Sequence, residues 1–363
     1  MRKTVHIIGA SNFGGAEILV RDLHQKKDKP FESFILYHTE GDLLKEEDEN
    51  CKKVSFNRLN LQTIRDVRDY IRQNEIDVVH VHSVINPLKL LPVLMFSKVR
   101  MVFTVHGYSL NSRIINKRIT FQFFNSVLFV SKTLKDAYIK SGNEKYSVLY
   151  NGIDPAKFAL TSSVIREEIF IPEDKILMGF VGNFNTVRDQ LTVCKALKQL
   201  KEQGIDFTFL FVGAAHIPEL YEACYSYCEE HNLLENVKFF GSRSDVPEIL
   251  AALDLFVYSS NHDTFGIAVV EAMMSGTPVV VNDLDVFKEI TNEGQYARLY
   301  KTKDEVSLAE NINHLIQNTE ERKELGLRGK QWAEKKYSIE AHIHQLNELY
   351  TELLAKRTAK NIH

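Results

Sequence analysis

The chain contains no run of 18 uncharged apolar residues, so its sequence offers no membrane-spanning helix. The apolar stretch in MRKTVHIIGASNFGG is too short for a signal peptide and continues into strand-like sequence. Cysteine is scarce, with four in 363 residues at positions 51, 194, 224 and 228. Cys224 and Cys228 are four apart, which is helix-face spacing and not that of a Cys-x-x-Cys pair. Reduced thiols in or near a core are therefore expected, ahead of a disulfide framework or a metal site. Internal repeats and low-complexity tracts are absent. Neither charge sign dominates, since 45 Lys+Arg meet 48 Asp+Glu for a net charge of −3, and no nucleic-acid partner is expected. The apolar share of 44% and the charged share of 26% exclude disordered, collagenous and coiled-coil chains.

The length suits two domains with ample core. Charge is uneven along them. Residues 1–163 carry 24 Lys+Arg against 17 Asp+Glu, and residues 164–363 carry 21 against 31. Either the first half faces something anionic, or solvated charges have sorted by chance.

Short apolar runs alternate with helical patterns. Strands are expected at Thr4–Ile8, Ser33–Tyr37, Asp77–Val81, Met101–Val105, Val127–Val130 and Ser147–Tyr150, with helices such as Ala16–Lys27 and Leu61–Gln73 between them. The scheme repeats with strands at Ile176–Val181, Phe207–Val212, Val237–Phe240, Leu255–Tyr258 and Pro278–Val281. Helices are expected near 190–203, 217–231 and 267–275. Strands apolar on both faces that alternate with helices predict doubly wound parallel sheets. The seam falls near 151–170, where NGIDPAKFALTSSVIREEIFIPED has a linker's composition. This gives domains at 1–163 and 164–337, then a helix and tail at 338–363 that crosses back to the first domain. The pattern is purely helical after 304, and Trp332 and Tyr337 mark a break before that last helix. Two open α/β sheets place ligands at the carboxyl ends of their strands, in a cleft between domains.

Several segments could carry chemistry. Strand one ends in Gly9, and Gly14-Gly15-Ala16-Glu17 opens a helix. Glycines at such a turn let backbone N–H groups approach an anion, so Gly14 and Gly15 are phosphate-binding candidates. A plain tight turn is the alternative. The dinucleotide fingerprint lacks its middle glycine, replaced by Ser11, which weakens a nicotinamide site. His80 and His82 fall on one side of their strand, without an evident third ligand for a metal. His106 precedes Gly107 at a strand's carboxyl end, where α/β folds make ligand contacts. Arg188 lies near the start of a second-half helix and is a phosphate clamp, or else a surface partner of Asp189. In SSNHDTFGIAVVEAMMSGTPVVVND, Asp263 precedes Glu271 by eight residues. Between them Phe265, Gly266 and Ile267 open a helix whose first N–H groups are free. Asp263 can also serve as an N-cap. Carboxylates beside an anion-binding helix start suit a ligand that carries phosphates and hydroxyls.

The segments GGAE, VHG, VLYNGID, VGNF…RDQLTVCKAL, FVG, FFGSRSDVPEILAALDLFVYSS and DTFGIAVVEAMMSGTPVVV, in order from about residue 5 to 335, resemble glycosyltransferase family 4. The resemblance implies the α/β GT-B fold, with two Rossmann-like domains facing a cleft. It implies a retaining, metal-independent enzyme that moves a hexose from a UDP- or GDP-sugar to a glycan or lipid-linked acceptor in envelope polysaccharide synthesis. Glu271 would bind the donor ribose. Asp263, where a Glu is usual, would touch the transferred sugar. Backbone N–H groups at Phe265, Gly266 and Ile267 would meet sugar and diphosphate. Arg188 would neutralise the leaving diphosphate, and Asn183 stands at a position usually Arg. Gly14 and Gly15 would lie near the diphosphate, His106 would approach the sugar, and Arg243 would stand where the base is held. Other readings are a GT-B UDP-sugar epimerase, a nicotinamide oxidoreductase and a binding protein without activity. Residues 98–145 hold nine Lys+Arg against two acids, interleaved with Phe103, Tyr108, Phe121, Phe123, Phe124 and Phe129. SRIINKRITFQFF thus reads as a basic amphipathic helix for an anionic leaflet, on a cytoplasmic enzyme at the inner membrane face. In the alternative, the aromatics fill the core.

Overall fold

The computed structural model describes residues 1–10, 15–39, 48–54, 61–82, 99–108, 121–140, 142–159 and 164–360. It forms two compact units. Met1–Gly152 with Ile339–His363 make one, and Ile153–Ser338 the other. The units part at Gly152/Ile153, inside the seam read at 151–170 and about ten residues before the boundary drawn at 163.

The first unit holds β1 Arg2–Ala10, β2 Phe31–Thr39, β3 Cys51–Lys53, β4 Val78–His82, β5 Arg100–Val105, β6 Ser126–Phe129 and β7 Tyr146–Val148. They form one parallel sheet in the order β3-β2-β1-β4-β5-β6-β7. All five residues of β4 are buried, as expected for a strand covered on both faces. The chain's last helix, Ile339–Lys360, is part of this unit. Its Ile339, Ile343, Leu346, Tyr350 and Leu353 recur at spacings of three and four. They pack on Leu19, Leu23, Phe31, Val78, Val102, Leu128 and Leu149.

The second unit holds β8 Ile176–Val181, β9 Phe207–Val212, β10 Val237–Gly241, β11 Leu255–Tyr258, β12 Val279–Asn282 and β13 Arg298–Tyr300. Their order is β10-β9-β8-β11-β12-β13, again all parallel. Helices Gln190–Glu202, Pro218–Glu230 and Ile267–Ser275 connect them. Two three-residue edge strands, β3 and β13, escaped the sequence reading, whereas β7, equally short and at an edge, was marked by the apolar run in YSVLY. The break before the last helix falls at Ser338, whose backbone is extended, and Trp332 lies inside the helix Thr319–Tyr337. No helix among the described residues is long and apolar enough to cross a membrane.

The aromatics of residues 98–145 belong mainly to the core. Phe103, Phe121, Phe124 and Phe129 are buried, while Phe123 is exposed. Phe103 stacks on Phe124 with ring centroids 5.0 Å apart, and Phe121 meets Phe129 edge-on. Of the expected basic helix only Phe121–Phe124 are described, with Phe121 and Phe124 buried and Phe123 exposed. Lys117 and Arg118 lie outside the described residues.

Candidate functional site

The second unit gathers most of the expected residues at the carboxyl ends of β8 and β11. The loop after β8 is tied to the loop after β11 by backbone bonds. Asp189 N donates to Ser259 O over 3.1 Å, and Asn261 N donates to Val187 O over 2.9 Å. This lacing places Arg188 across the end of β11. Its guanidinium lies over the Tyr258 ring at 5.1 Å. Its Nη1 donates to Ser260 Oγ at 3.1 Å and to Asp263 Oδ2 at 3.0 Å. Arg188 Nε is buried and has no hydrogen-bond partner among the described residues. A buried donor without an acceptor is costly, by about 1–3 kcal/mol. Arg188 is thus held at Nη1 by Ser260 and Asp263, with Nε packed inward beside Gly182.

Asp189 does not compete for Arg188. Its carboxylate caps the helix Gln190–Glu202 by accepting from Thr192 N and Thr192 Oγ1. The actual partner, Asp263, comes from 75 residues away in sequence, beyond the reach of a local reading.

Asp263 also organises its own loop. Its Oδ1 accepts from the N–H groups of Thr264, Phe265 and Gly266 at 2.7, 3.3 and 3.1 Å. Gly266 then begins the helix Ile267–Ser275 with φ 83°. A β-carbon there would lie 2.8 Å from Phe287 Cε1, so both conformation and space call for glycine. Val269 and Val270 N–H donate to Gly266 O, which leaves the Ile267 and Ala268 N–H groups at the helix start. Phe265 contributes only backbone, because its ring is buried edge-on to Tyr337. Glu271 is half-buried on the second turn of the same helix. Burial pushes the Tyr258 phenol above its usual range. The Arg188 charge opposes that shift, and the Asp263 and Glu271 charges add to it.

Asn183 is a brace. Its Oδ1 accepts from Ala214 N at 2.8 Å, and Gln190 Nε2 donates to its carbonyl. Gly213, with φ 153°, allows this approach, since a β-carbon there would meet Gly182 O at 2.3 Å. Arg243 is gripped on two sides. Asp245 accepts from its Nε and Nη2 at 2.8 and 2.6 Å, and Glu168 from its Nη1 and Nη2 at 2.9 and 3.2 Å.

His106 lies in the first unit with a set of buried histidines. His82 Nδ1 is 2.9 Å from His106 Nε2, and His82 Nε2 is 3.2 Å from His6 Nδ1. His80 bonds Tyr350 Oη and Thr104 Oγ1. Burial lowers His106 and His6 to about 3, with nearby histidines adding to the effect. The ring nitrogens of His6, His80 and His82 lie within 4.8 Å of one another. A third histidine thus does join the pair on β4. It comes from β1, where register sets His6 against His80, and alternation within one strand could not reveal it. Gly15 opens the helix Gly15–Gln25 in an exposed position, and Gly14 lies outside the described residues. Sequence reasoning missed Tyr258 and Ser260 as the seat of Arg188. Their position at the carboxyl end of an apolar strand, in LFVYSS, was the available signal.

Two family models match the chain: Glycosyltransferase Family 4 over residues 13–157 and Glycosyl transferases group 1 over residues 162–332. Putative glycosyltransferase EpsF of Bacillus subtilis is 26% identical over 325 residues, covering 82% of this chain and 83% of the relative. An Escherichia coli UDP-Gal:alpha-D-GlcNAc-diphosphoundecaprenol alpha-1,3-galactosyltransferase is 24% identical over 328 residues, covering 82% of each. Among solved structures, Anabaena Alr3699/HepE in complex with UDP and glucose is similar with a TM-score of 0.82 at 20% identity. That match covers 97% of this chain and 100% of the other.

Proposed function

The chain belongs to glycosyltransferase family 4 and is a glycosyltransferase of GT-B fold, and we propose that it moves a hexose from a nucleoside diphosphate sugar to a glycan or lipid-linked acceptor of the cell envelope, with retention at the anomeric carbon. The observation that carries this reading is the cluster in the second unit. Arg188 lies 3.0 Å from Asp263 beside the start of the helix Ile267–Ser275, and Glu271 stands on that helix. A sugar diphosphate needs that combination: a cation and free N–H groups for the phosphates, and a carboxylate for hydroxyls.

In the proposed reaction the bond from the anomeric carbon to the diphosphate oxygen breaks, and charge grows on that oxygen. Arg188 and the Ile267 and Ala268 N–H groups stabilise it, with no metal ion required. The sugar passes through an oxocarbenium-like state. Asp263 is already engaged by Arg188 and three N–H groups, which argues against its acting as a covalent nucleophile. UDP is the favoured leaving group. The UDP-bound fold neighbour and the relative named for UDP-Gal support it, and the lipid-linked acceptor in that relative's name supports the acceptor class. Membrane docking through residues 98–145 has no support from the described residues, where Phe103, Phe121, Phe124 and Phe129 are core and only Phe123 is exposed.

Glu271→Ala and Arg188→Lys test the assignment, with UDP-sugar turnover as readout and UDP affinity measured separately. Loss of one such contact costs about 2.7–4 kcal/mol, or about 10²–10³ in rate. Turnover near wild type in both variants would overturn the assignment. Preference for GDP or NAD over UDP in thermal-shift assays would change the donor or the reaction class.

A further inference from the structure

A second group of chemistry-bearing side chains lies at the edge of the first sheet, apart from the residues assigned to transfer. His24 comes from the last turn of the helix Gly15–Gln25, Asp48 precedes β3, and Cys51 begins it. His24 Nε2 is 2.8 Å from Asp48 Oδ2 and 4.0 Å from Cys51 Sγ. The three ligand atoms lie within 4.8 Å of one another. We propose that His24, Asp48 and Cys51 bind one divalent transition-metal ion of the zinc type.

Ideal tetrahedral bonds to zinc separate nitrogen and oxygen ligands by about 3.3 Å, and nitrogen and sulfur by about 3.6 Å. The observed separations differ from these by about half an ångström each, within the reach of small side-chain rotations. The donor set matches the ion in kind, because imidazole, carboxylate and thiolate are all common zinc ligands. It also matches in charge, since one carboxylate and one thiolate neutralise a divalent cation and no net charge is buried. His24 is aimed for the purpose. Its other ring nitrogen, Nδ1, is 2.8 Å from Ser33 Oγ. A partner on the far nitrogen fixes the tautomer that turns Nε2 to a metal. The side chains of His24 and Asp48 are 10% and 37% exposed, so an ion and a completing water can enter.

Binding replaces the hydrogen bonds now made within the group. The Cys51 thiol gives up its proton to solvent, its sulfur bonds the metal, and the Nε2 lone pair of His24 does the same with Nδ1–H directed to Ser33. The ion would fasten β3, a three-residue strand paired among the described residues only with β2, to the helix Gly15–Gln25. The site is a clamp on the fold and takes no part in sugar transfer.

The test uses the full chain, stripped with a chelator and titrated with Co²⁺ and Zn²⁺. Wild type is expected to take up one ion per chain at this site and to show a sulfur-to-cobalt charge-transfer band. Cys51→Ser should remove that band, and Ser33→Ala, which leaves all three ligands, should weaken Zn²⁺ binding about tenfold or more. Zn²⁺ should also protect Cys51 of the wild-type chain from alkylation, read by peptide mass spectrometry, which needs no variant. A chain that takes up no metal overturns the proposal. So does uptake unchanged in Cys51→Ser, which would put the ion at His6, His80 and His82 or at the other cysteines, and so does Cys51 alkylated equally with and without Zn²⁺.

Discussion

Replacing Asp263 separates its two jobs, and the structure sets their sizes. In Asp263→Ala, three loop N–H groups lose their acceptor and Arg188 loses its counter-charge. Loss of an N-cap-like carboxylate costs about 1 kcal/mol. Breaking a buried ion pair costs about 3–5 kcal/mol when the stranded charge has nothing else. Here the Arg188 side chain is 20% exposed and keeps Ser260 and the Tyr258 ring, so about 1–2 kcal/mol is the better figure for that part. The sum is about 2–3 kcal/mol. At about 2–4 °C per kcal/mol for a unit of this size, Asp263→Ala should melt about 4–12 °C below wild type. Asp263→Asn keeps Oδ1 for the loop and loses only the charge, so it should fall between the two. Calorimetry with and without UDP reads both. If the Asn variant melts as low as the Ala variant, the backbone cage contributes nothing. If the Ala variant melts within about 1 °C of wild type, both arguments fail.

Other outcomes follow from the same geometry. Gly266→Ala should lose about 1–3 kcal/mol from its positive φ, and more from the contact with Phe287, with UDP binding weakened in parallel; an unchanged melting temperature would refute the strain argument. Turnover should survive EDTA in wild type and in Cys51→Ser alike, and restoration of an EDTA-arrested reaction by Mg²⁺ would refute the metal-free diphosphate clamp. The first unit should lose stability in acid. His6 and His106 titrate near 3 and His342 near 4 in the folded chain, against 6.5 unfolded, chiefly because burial disfavours the charged ring. The unfolded chain therefore binds protons that the native chain refuses. Stability falls as pH drops below about 6.5, by up to about 1.4 kcal/mol per pH unit for each ring. A melting temperature that stays flat from pH 7 to about 4.5 would contradict this.

The positions of the long strands were legible because each is a short apolar run covered on both sides, and such a run leaves little choice of face. β3 and β13 were not, since Cys51-Lys52-Lys53 and Arg298-Leu299-Tyr300 contain no apolar run like the one that marked the equally short β7. The seam at 151–170 spans the division, but the boundary inside it was set at 163 because NGIDPAKF reads as a linker; Ile153 N donates to Tyr337 O and Phe158 is buried, so this segment groups with the second unit. Within the site, what depends on neighbours in sequence came through: the glycine at the helix start, the eight-residue interval from Asp263 to Glu271, and the cation near a helix N-terminus. What depends on register or on loop lacing did not. The pairing of Arg188 with Asp263, the brace from Asn183 to Ala214 and the joining of His6 to His80 each need two strands placed side by side.

The brace and the pairing together explain the two departures from the family's usual residues. An arginine at 183 would bring a cation into the loop after β8. Asn183 instead uses its amide oxygen to hold Ala214, which steadies the loop that carries Arg188. Asp263 is one methylene shorter than the glutamate usual at its place, and the shorter arm is what lets one oxygen collect three successive N–H groups of its own loop. Its second oxygen accepts from Arg188, so both oxygens are engaged within the loop and its cation. In the proposed reaction the hydroxyls of the donor then fall to Glu271 and to the backbone at the helix start. In that reaction an arriving diphosphate would meet an arginine already partly neutralised by Asp263. The pair thus trades some attraction for the anion against a cation held in place before the anion arrives, which lowers the cost of ordering it when the leaving group departs.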